Sequence, residues 1–423
     1  MIPTSFWITD YPRPADLPVV EMLPAEVDVA VIGGGFTGLS AARTLAKSGL
    51  SAVVLERNTI GWGASSRNAG ITGCGLKAGA PTIFKRYGEV YGRKFWQASL
   101  DALDLIRELV TDEGIDCDLQ PNGDLCVAYK PSHYENFKTK IEWHQKNLDH
   151  TLHLVPPDEL NAEIGTTAYF GGLVDDHGIG LHPAKLVFGL AEVAAQYGAQ
   201  LVETCRVTQI EKIPQGFRVI TNKGDLVADE VIVATNGYTD KTLPKLKPRV
   251  FSGGSYSIVT EPLSPELQAE ISPKGRMFWD SKWFLNYFRL TPDGRLLWGG
   301  RNNLSTHLDL DESAKTLHEG MLRAFPQLEG IPITHTWTGQ LGLTFDLMPH
   351  IGRIEGVYYA LGYGGHGLHT ALLLGRESAQ LITGEKSGSP FLEIPHKTYF
   401  FYRNHPWFLP LAALNFRIRD YLS

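Results

Sequence analysis

The sequence contains little cysteine, no long apolar run and no cluster of basic residues. Four of its 423 residues are cysteine, and neither a C-x-x-C pair nor a His/Cys spacing suited to zinc is present. We therefore expect reduced thiols and no metal site. No signal peptide is visible at the first residues, and no apolar stretch reaches the roughly 18 residues of a membrane span. A net charge of −7 argues against a nucleic-acid partner. These absences predict a globular protein of the cytoplasm that does not enter a membrane.

A glycine-rich turn follows the first apolar strand. Residues 29–32 read as a buried strand, three glycines then fill a G-x-G-x-x-G pattern, and an apolar helix follows. The first glycine of this pattern makes a tight turn, the second admits a pyrophosphate and the third lets helix and strand pack closely. Glu56 ends the next apolar run, where a carboxylate can bind a ribose hydroxyl. Glycine triplets also occur in ordinary turns, but strand, helix and acidic residue together favour dinucleotide binding. The residues predicted to hold the dinucleotide are Gly33, Gly35, Phe36, Thr37, Gly38, Glu56 and Arg57.

A second glycine-rich turn precedes an apolar helix that is expected from about Leu368 to Ile382. The N-terminus of a helix offers free N–H groups and a partial positive charge. Because reduction places negative charge on a flavin ring, such a helix end could stabilise the reduced ring. An ordinary glycine loop before a core helix is the alternative. His366 is the one ionisable residue inside the turn, where it could steer a substrate or act as a hydrogen-bonding strut. The turn residues in the predicted site are Gly364, Gly365, His366, Gly367 and Leu368.

The remaining patterns indicate two interleaved domains. Helices are expected at about 92–112 and 131–148, and three strands at 207–213, 216–221 and 226–234 form a β-meander. Ala234, Thr235 and Gly237 end this meander in a turn where backbone can again meet a nucleotide. The expected fold is an α/β protein with a discontinuous Rossmann-type domain and an antiparallel-sheet substrate domain. The predicted ranges are 1–78, 149–243 and 338–395 for the first domain, 79–148 and 244–337 for the second, and 396–423 for an aromatic tail.

Substrate recognition is expected on the antiparallel domain, in the run from Trp283 to Arg289. Strand alternation would place Trp283, Tyr287 and Arg289 on one face. The two aromatic rings could hold an amine by cation–π contact, and the guanidinium could hold a carboxylate. Alternatively both faces belong to the core and Arg289 is a structural ion-pair partner. Arg301 is a weaker substrate candidate. The predicted catalytic set is Trp283, Tyr287, Arg289 and His366.

Six segments, taken together, resemble one known group of enzymes. They occur at 28–39, 63–70, 180–183, 287–290, 337–339 and 362–367. In this order they are similar to the D-amino-acid oxidase superfamily of FAD enzymes and, within it, to the gamma-glutamylputrescine oxidoreductase branch.

The resemblance implies further cofactor contacts. Residues 64–71 would lie along the flavin ring, Val207 would contact the adenine, and His369 stands where sarcosine oxidases carry a flavin-contacting lysine. The branch usually has glycine where Ser66 and Ala69 stand, so these two side chains are expected to crowd the face of the ring. The region 337–343 lacks the cysteine that binds FAD covalently in sarcosine oxidases, which implies non-covalent FAD. The residues added to the cofactor set are Ala64, Ser65, Arg67, Asn68, Ala69, Gly70, Ile71, Val207 and His369.

By the same resemblance, the expected activity is FAD-dependent oxidation of a C–N bond in a small amine or amino acid, gamma-glutamylputrescine-like or N-substituted. Hydride transfer to flavin N5 and hydrolysis of the resulting imine need no strong protein base, and O2 or another carrier accepts the electrons. A dehydrogenase of the same fold that oxidises a hydroxy acid or another C–OH substrate is the alternative. A flavin-binding scaffold without turnover is a third reading. Fold likeness alone does not decide among these.

Overall fold

The computed structural model describes residues 1–300, 304–402, 404 and 406–422. Its helices are α1 Phe6–Asp10, α2 Phe36–Lys47, α3 Ala80–Thr111, α4 Pro131–Leu148, α5 Pro183–Gln196, α6 Pro265–Ile271, α7 Leu310–Ala324, α8 Gly367–Thr383, α9 Pro390–Glu393 and α10 Leu409–Leu422. Its first nine strands are β1 Glu26–Ile32, β2 Ala52–Leu55, β3 Ile71–Thr72, β4 Asp124–Val127, β5 His153–Val155, β6 Gly172–Asp175, β7 Ile179–Gly180, β8 Gln200–Val202 and β9 Val207–Ile213. The others are β10 Gly216–Thr221, β11 Gly224–Val233, β12 Phe251–Pro262, β13 Met277–Asp280, β14 Asn286–Leu290, β15 Arg295–Gly300, β16 Ile333–Leu343, β17 His350–Ile354 and β18 Val357–Leu361.

The first sheet has eight strands, six of them in the order β17-β18-β11-β1-β2-β8. The pairs from β18 to β8 are parallel, and β9 and β10 form an antiparallel meander attached to β11. Parallel strands are short apolar runs because helices cover the sheet, and α2, α5 and α8 share one core cluster with β1 and β2. The parallel order brings the carboxyl ends of β1, β2 and β11 to one edge, the usual place for a ligand in such a sheet.

The second sheet also has eight strands, in the order β16-β12-β15-β14-β13-β4-β6-β5. Helix α7 packs on one face through a core that includes Trp298, Phe288 and Met321. The mixed α/β fold with two interleaved sheets is the predicted one. However, β5 and β6, which the sequence placed with the Rossmann-type domain, pair in this second sheet. Their short apolar runs carry no sign of which sheet they join, so the domain limits stay a prediction.

One local difference from the sequence patterns has a clear cause. Helix α3 begins at Ala80 rather than near residue 92, because it continues across a bend at Gly88, where φ is 78°. The C-terminal tail packs on the body through Tyr402 and Leu409, which join a cluster around Phe251. Among the described residues, no helix has both the length and the apolar character needed to cross a membrane.

Candidate active site

One cavity of about 660 Å³ is lined by residues of both sheets. The turn after β1, the loop 56–81 and the turn before α8 form one wall. Strands β4, β6, β12, β13 and β14 contribute to the rest of the lining. Its volume lies within the range of cofactor and ligand sites in proteins, roughly 300–1,000 Å³.

The turn after β1 has the geometry expected of its glycines. Gly33 has a φ of 111°, which glycine adopts most readily, and its amide donates to the Leu55 carbonyl at 3.0 Å. A Cβ atom on Gly38 would lie 1.9 Å from the Gly33 oxygen, so the predicted close packing of helix on strand is confirmed. Gly35 caps α2 at the cavity wall. The first turn of that helix therefore presents N–H groups and the positive end of the helix dipole to the cavity.

Glu56 lies at the same wall as a fixed acceptor. Its carboxylate accepts hydrogen bonds from the backbone amides of Gly34 and Asn58, each at 2.8 Å. Burial raises the pKa of Glu56 above its ordinary value, while these two bonds act in the opposite sense. The carboxylate is thus held in place beside the glycine turn, where sugar hydroxyls can donate to it.

The loop after this wall is braced by Asn68. Its side-chain amide donates to the carbonyls of Ala64 and Ser65 at 3.1 and 3.0 Å, and its oxygen accepts from the Gly70 amide at 2.9 Å. A single side chain therefore fixes the loop backbone along the cavity.

Ser66 points away from the cavity, so the expectation that it crowds the ring was wrong. Its hydroxyl donates to the Gly61 carbonyl at 2.7 Å, and its carbonyl accepts from the Ser5 hydroxyl at 2.7 Å. The 3₁₀ turn at 64–66 turns this side chain into the protein, where it is 1% exposed. Ala69 does line the cavity.

The second glycine turn leads into α8 as predicted. Gly364 and Gly365 have φ values of 62° and 96°, and His366 caps the helix at the cavity wall. The Tyr363 hydroxyl lies 2.7 Å from the Thr37 hydroxyl on α2. The N-terminal ends of α2 and α8, which both reach the cavity, are therefore linked side chain to side chain.

His369, the third residue of α8, is a neutral group at neutral pH. It is 1% exposed and contacts the Thr72 hydroxyl through Nδ1. Burial lowers its pKa to about 4. The position predicted to contact a flavin thus carries a hydrogen-bonding imidazole without charge.

On the opposite wall, Tyr287 is held by hydroxyl groups from β12. Its phenol oxygen lies 2.9 Å from the Ser255 hydroxyl and 3.2 Å from the Ser257 hydroxyl. Trp279 is its cross-strand neighbour on β13, and Cys126 on β4 is the next residue in the same row. Tyr287 and Trp279 both line the cavity. The predicted pair of aromatic rings is therefore present, with Trp279 in the place that the sequence analysis gave to Trp283.

Arg289 does not reach the cavity, which corrects its predicted role in substrate binding. The side chain is fully buried, and its Nη1 donates to the carbonyls of Gly70 and Leu181 at 2.6 and 2.9 Å. Its Nη2 donates to the Gln120 side chain at 2.5 Å. Burial lowers the pKa of Arg289 to about 10, which leaves it charged. It is structural, as the alternative interpretation held, but its partners are neutral oxygen atoms rather than an acid.

Trp283 is also outside the cavity, because the chain from 281 to 284 forms a turn before β14 begins at Asn286. Its ring stacks on Phe416 of α10 at 5.6 Å, and its amide donates to the Asp420 carboxylate at 2.7 Å. Strand alternation was therefore applied from three residues before the strand begins. Arg301 lies outside the described residues.

Most predicted site residues lie at the cavity wall, although their contacts with a cofactor stay a prediction. Those at the wall are Gly33, Gly35, Phe36, Thr37, Glu56, Arg57, Ala64, Ser65, Arg67, Asn68, Ala69, Ile71, Val207, Ala234, Thr235, Tyr287, Gly365, His366, Gly367, Leu368 and His369. Those behind it or elsewhere are Gly38, Gly70, Gly237, Trp283, Arg289 and Gly364.

Sequence reasoning missed several wall residues that come from the second sheet. Asp124 begins β4, and Trp279 lies on the neighbouring β13. A carboxylate in the apolar run 124–128 was a readable signal, since a buried acid needs a reason. The residues that surround Asp124 depend on the order of the strands in the sheet, and residues 124–128 alone do not show that order.

A cluster of metal-binding residue types meets beside this wall, although the sequence spacing predicted no metal. The ligand-type atoms of Cys74, His150, Asp175 and His177 lie within 4.8 Å of one another. The Asp175 carboxylate is shared by His150 at 2.8 Å and His177 at 3.1 Å. Residues distant in sequence were thus brought together by β6 and its flanking loops.

Comparisons with known proteins agree with this geometry. The family model described as FAD dependent oxidoreductase matches residues 28–381. Gamma-glutamylputrescine oxidoreductase of Escherichia coli (strain K12) is 35% identical over 402 residues, which cover 94% of this chain and 93% of the relative. Glycine oxidase from Geobacillus kaustophilus superposes with a TM-score of 0.75 at 21% identity, covering 88% of this chain and 100% of that one. L-proline dehydrogenase from P. horikoshii gives a TM-score of 0.73 at 24% identity, covering 87% and 96%. The chain therefore belongs to the family of FAD-dependent oxidoreductases.

Proposed function

We propose that this protein oxidises the C–N bond of a small amine, with gamma-glutamylputrescine as the leading substrate. The observation that carries the proposal is the wall opposite the glycine turns, where Trp279 and Tyr287 lie beside the buried carboxylate of Asp124. Aromatic faces and carboxylates are the groups that recognise amines. Extended similarity to a relative that carries this substrate in its name supports the same choice.

The residues at the first wall fit FAD. Gly33 and Gly38 form a turn that side chains would obstruct, Glu56 offers a fixed acceptor, and α2 and α8 both bring an N-terminus to the cavity. When bound, FAD supplies the acceptor for the two electrons of the oxidation. Negative charge on the reduced ring would be stabilised by the N-terminus of α8 at His366. We expect non-covalent attachment, and filtration after denaturation tests this by releasing the yellow colour.

The protein's part in the reaction is to exclude water and to orient the amine. Tyr287 is fixed by Ser255 and Ser257, so its ring can hold one orientation of the substrate. A buried wall disfavours the ammonium form, and the neutral amine is the form that can be oxidised. Loss of two electrons and two protons converts the amine to an imine, and water then releases ammonia and an aldehyde. The electrons leave finally to O2 or to another carrier.

An anaerobic reduction experiment tests the function. Purified holoprotein is mixed with gamma-glutamylputrescine, putrescine, sarcosine, D-amino acids, hydroxy acids and glycerol 3-phosphate, and the visible flavin absorbance is followed. We expect bleaching by gamma-glutamylputrescine. Bleaching by a hydroxy acid or glycerol 3-phosphate alone would replace amine oxidation by oxidation of a C–OH group. A flavin that dithionite reduces but no organic compound does would contradict catalysis on this panel.

A further inference from the structure

The wall that carries the proposed function contains a buried acid, Asp124, whose ligand group the oxidation itself does not identify. Asp124 is 2% exposed and lines the cavity. Its Oδ2 atom has no hydrogen-bond partner among the described residues. A buried polar atom without a partner costs free energy, so its presence calls for an explanation. The simplest explanation is a ligand group that the atoms of this carboxylate meet when the cavity is filled.

Two glycines pack closely against this carboxylate. A Cβ atom on Gly73 would lie 2.8 Å from Oδ2, and one on Gly178 would lie 2.5 Å from it. Side chains at either position would press on the acid. The tryptophans at 96 and 279 also line this end of the cavity, and their faces suit a cation.

Asp124 and its cross-strand neighbour Asp175 are in different electrostatic states. Burial, together with the charge of Asp175, raises the pKa of Asp124 well above its ordinary value. Burial also acts to raise the pKa of Asp175, but hydrogen bonds and charge from His150 bring it below its ordinary value. Asp175 is therefore already matched by its histidines, whereas Asp124 has no such partner. A cationic ligand group would stabilise the ionised form of Asp124.

A basic residue accompanies the acids at this end. Lys140 of α4 lines the same part of the cavity, and its charge acts on Asp124 in the sense that favours ionisation. His144, one turn further along α4, has its pKa lowered to about 4 by burial, so it adds no positive charge at neutral pH. The wall therefore offers one unmatched carboxylate and one ammonium group. This pair is complementary to an α-amino acid, which carries both charges on one carbon.

We propose that this end of the cavity binds the α-amino-acid head of the substrate, with its ammonium group at Asp124 and its carboxylate at Lys140. The inference rests on the proposed function and deepens it. The amine to be oxidised would lie at the other end of the molecule, toward the glycine turn at His366. Arg289, which the sequence offered for the carboxylate, is occupied by backbone oxygens and by the Gln120 side chain and is not needed.

Substrate analogues separate the two charges. N-glutarylputrescine lacks the α-ammonium group of gamma-glutamylputrescine, and N-(4-aminobutanoyl)putrescine lacks the α-carboxylate. With the wild-type holoenzyme we expect kcat/KM to fall about 10- to 100-fold for the first analogue, chiefly through KM, because a charge-assisted hydrogen bond to a buried acid is lost. A fall of only about 2- to 5-fold is expected for the second, since Lys140 is exposed to solvent. Equal rates with the parent and N-glutarylputrescine would overturn the inference.

Variants assign the charges to residues. Asp124→Asn keeps the shape of the side chain and should reduce kcat/KM for gamma-glutamylputrescine by about 10- to 100-fold while leaving N-glutarylputrescine nearly unaffected. Lys140→Gln should affect only substrates that carry the α-carboxylate. Asp158→Asn, which removes an exposed carboxylate outside the cavity, is the matched control. An Asp124→Asn enzyme with unchanged KM for gamma-glutamylputrescine would overturn the assignment.

Binding without turnover keeps this test separate from the proposed function. Gamma-glutamylbutylamine keeps the amino-acid head but lacks the terminal primary amine of the putrescine arm, and N-glutarylbutylamine lacks the α-ammonium group as well. Calorimetry with wild-type holoprotein should show about 10- to 100-fold tighter binding of the first. This result supports the inference even if no amine reduces the flavin. Equal affinities, or binding of neither compound, would overturn it while leaving amine oxidation open.

Discussion

The two ends of the cavity are built in different ways. At the glycine-turn end, beside the turns after β1 and before α8, backbone groups shape the wall, and Gly33 and Gly38 matter because they have no side chains. At the sheet end, side chains such as Tyr287, Trp279 and Asp124 come from three neighbouring strands. A backbone site can be encoded in one short segment, whereas a side-chain site depends on the order of strands. The glycine-turn end could therefore be predicted from short segments of the sequence, whereas the sheet end could not.

The largest effect should come from adding a side chain at the glycine-turn end of the cavity. Gly38→Ala would place a methyl group 1.9 Å from the Gly33 oxygen, so α2 must move away from β1. We expect loss of FAD from the purified protein and a free energy of unfolding reduced by about 3 kcal/mol. Flavin content and thermal unfolding measure both. Gly320→Ala, at a helical position with contacts no closer than 3.7 Å, is the control, and equal flavin content in the two variants would contradict the proposed role of the turn.

The next prediction tests whether Arg289 supports the structure between the two ends of the cavity or binds the substrate. Arg289→Met removes the side-chain donor of the Leu181 carbonyl and leaves the Gly70 carbonyl with only the Leu181 amide, at 2.9 Å. Stability should fall by about 3 kcal/mol, measured by urea unfolding, while the folded variant keeps its relative preference for substrates with and without a carboxylate. Arg218→Met, a substitution at an exposed arginine, is the control. A selective loss of carboxylate-bearing substrates would restore the binding role.

A pH experiment tests the lowered pKa of the buried imidazole of His369, near the glycine-turn end. The folded pKa of His369 is lowered to about 4 from an ordinary 6.5, so the unfolded chain takes up a proton first as the pH falls. Its stabilising effect is complete above pH 6.5 and is lost between pH 6.5 and 4, about 2 kcal/mol of it by pH 5. His369→Gln should flatten the pH dependence of unfolding in this window, and His307→Gln, at an exposed position, should not. Identical slopes in all three proteins would contradict the assignment.

The smallest effect separates two tryptophans near the sheet end. Trp283 stacks on Phe416, so Trp283→Ala should loosen the tail by about 1 kcal/mol and leave kcat/KM unchanged. Trp279→Ala, at the cavity wall, should raise KM. Limited proteolysis of the tail and steady-state kinetics read the two effects. A raised KM in Trp283→Ala would return that residue to the substrate site.

The parts of the site that the sequence predicted follow the same division between the two ends of the cavity. The glycine turns, Glu56 and most of the helices were predictable because their signals lie within short segments, and the turn before α8 was recognised from four residues. The placement of β5 and β6 and the grouping of Asp124 with Trp279 were not, since pairing between distant strands leaves no local mark. Arg289 shows a third limit. Residue type suggested a carboxylate partner, but only the packed structure shows that backbone oxygens already surround it.

The contact between α2 and α8 fixes the distance between two helix ends that we expect to meet the cofactor. Gly375 lets α8 approach α2 so closely that a Cβ atom there would lie 2.2 Å from the Thr37 oxygen, and Tyr363 ties the two N-terminal ends together. Their separation is thus set by packing rather than by the bound molecule. FMN is shorter than FAD because it lacks the adenylate half, so it could reach the N-terminus of only one of these two helices. We therefore expect the protein to discriminate between flavins by length, even though the ring that carries the chemistry is the same.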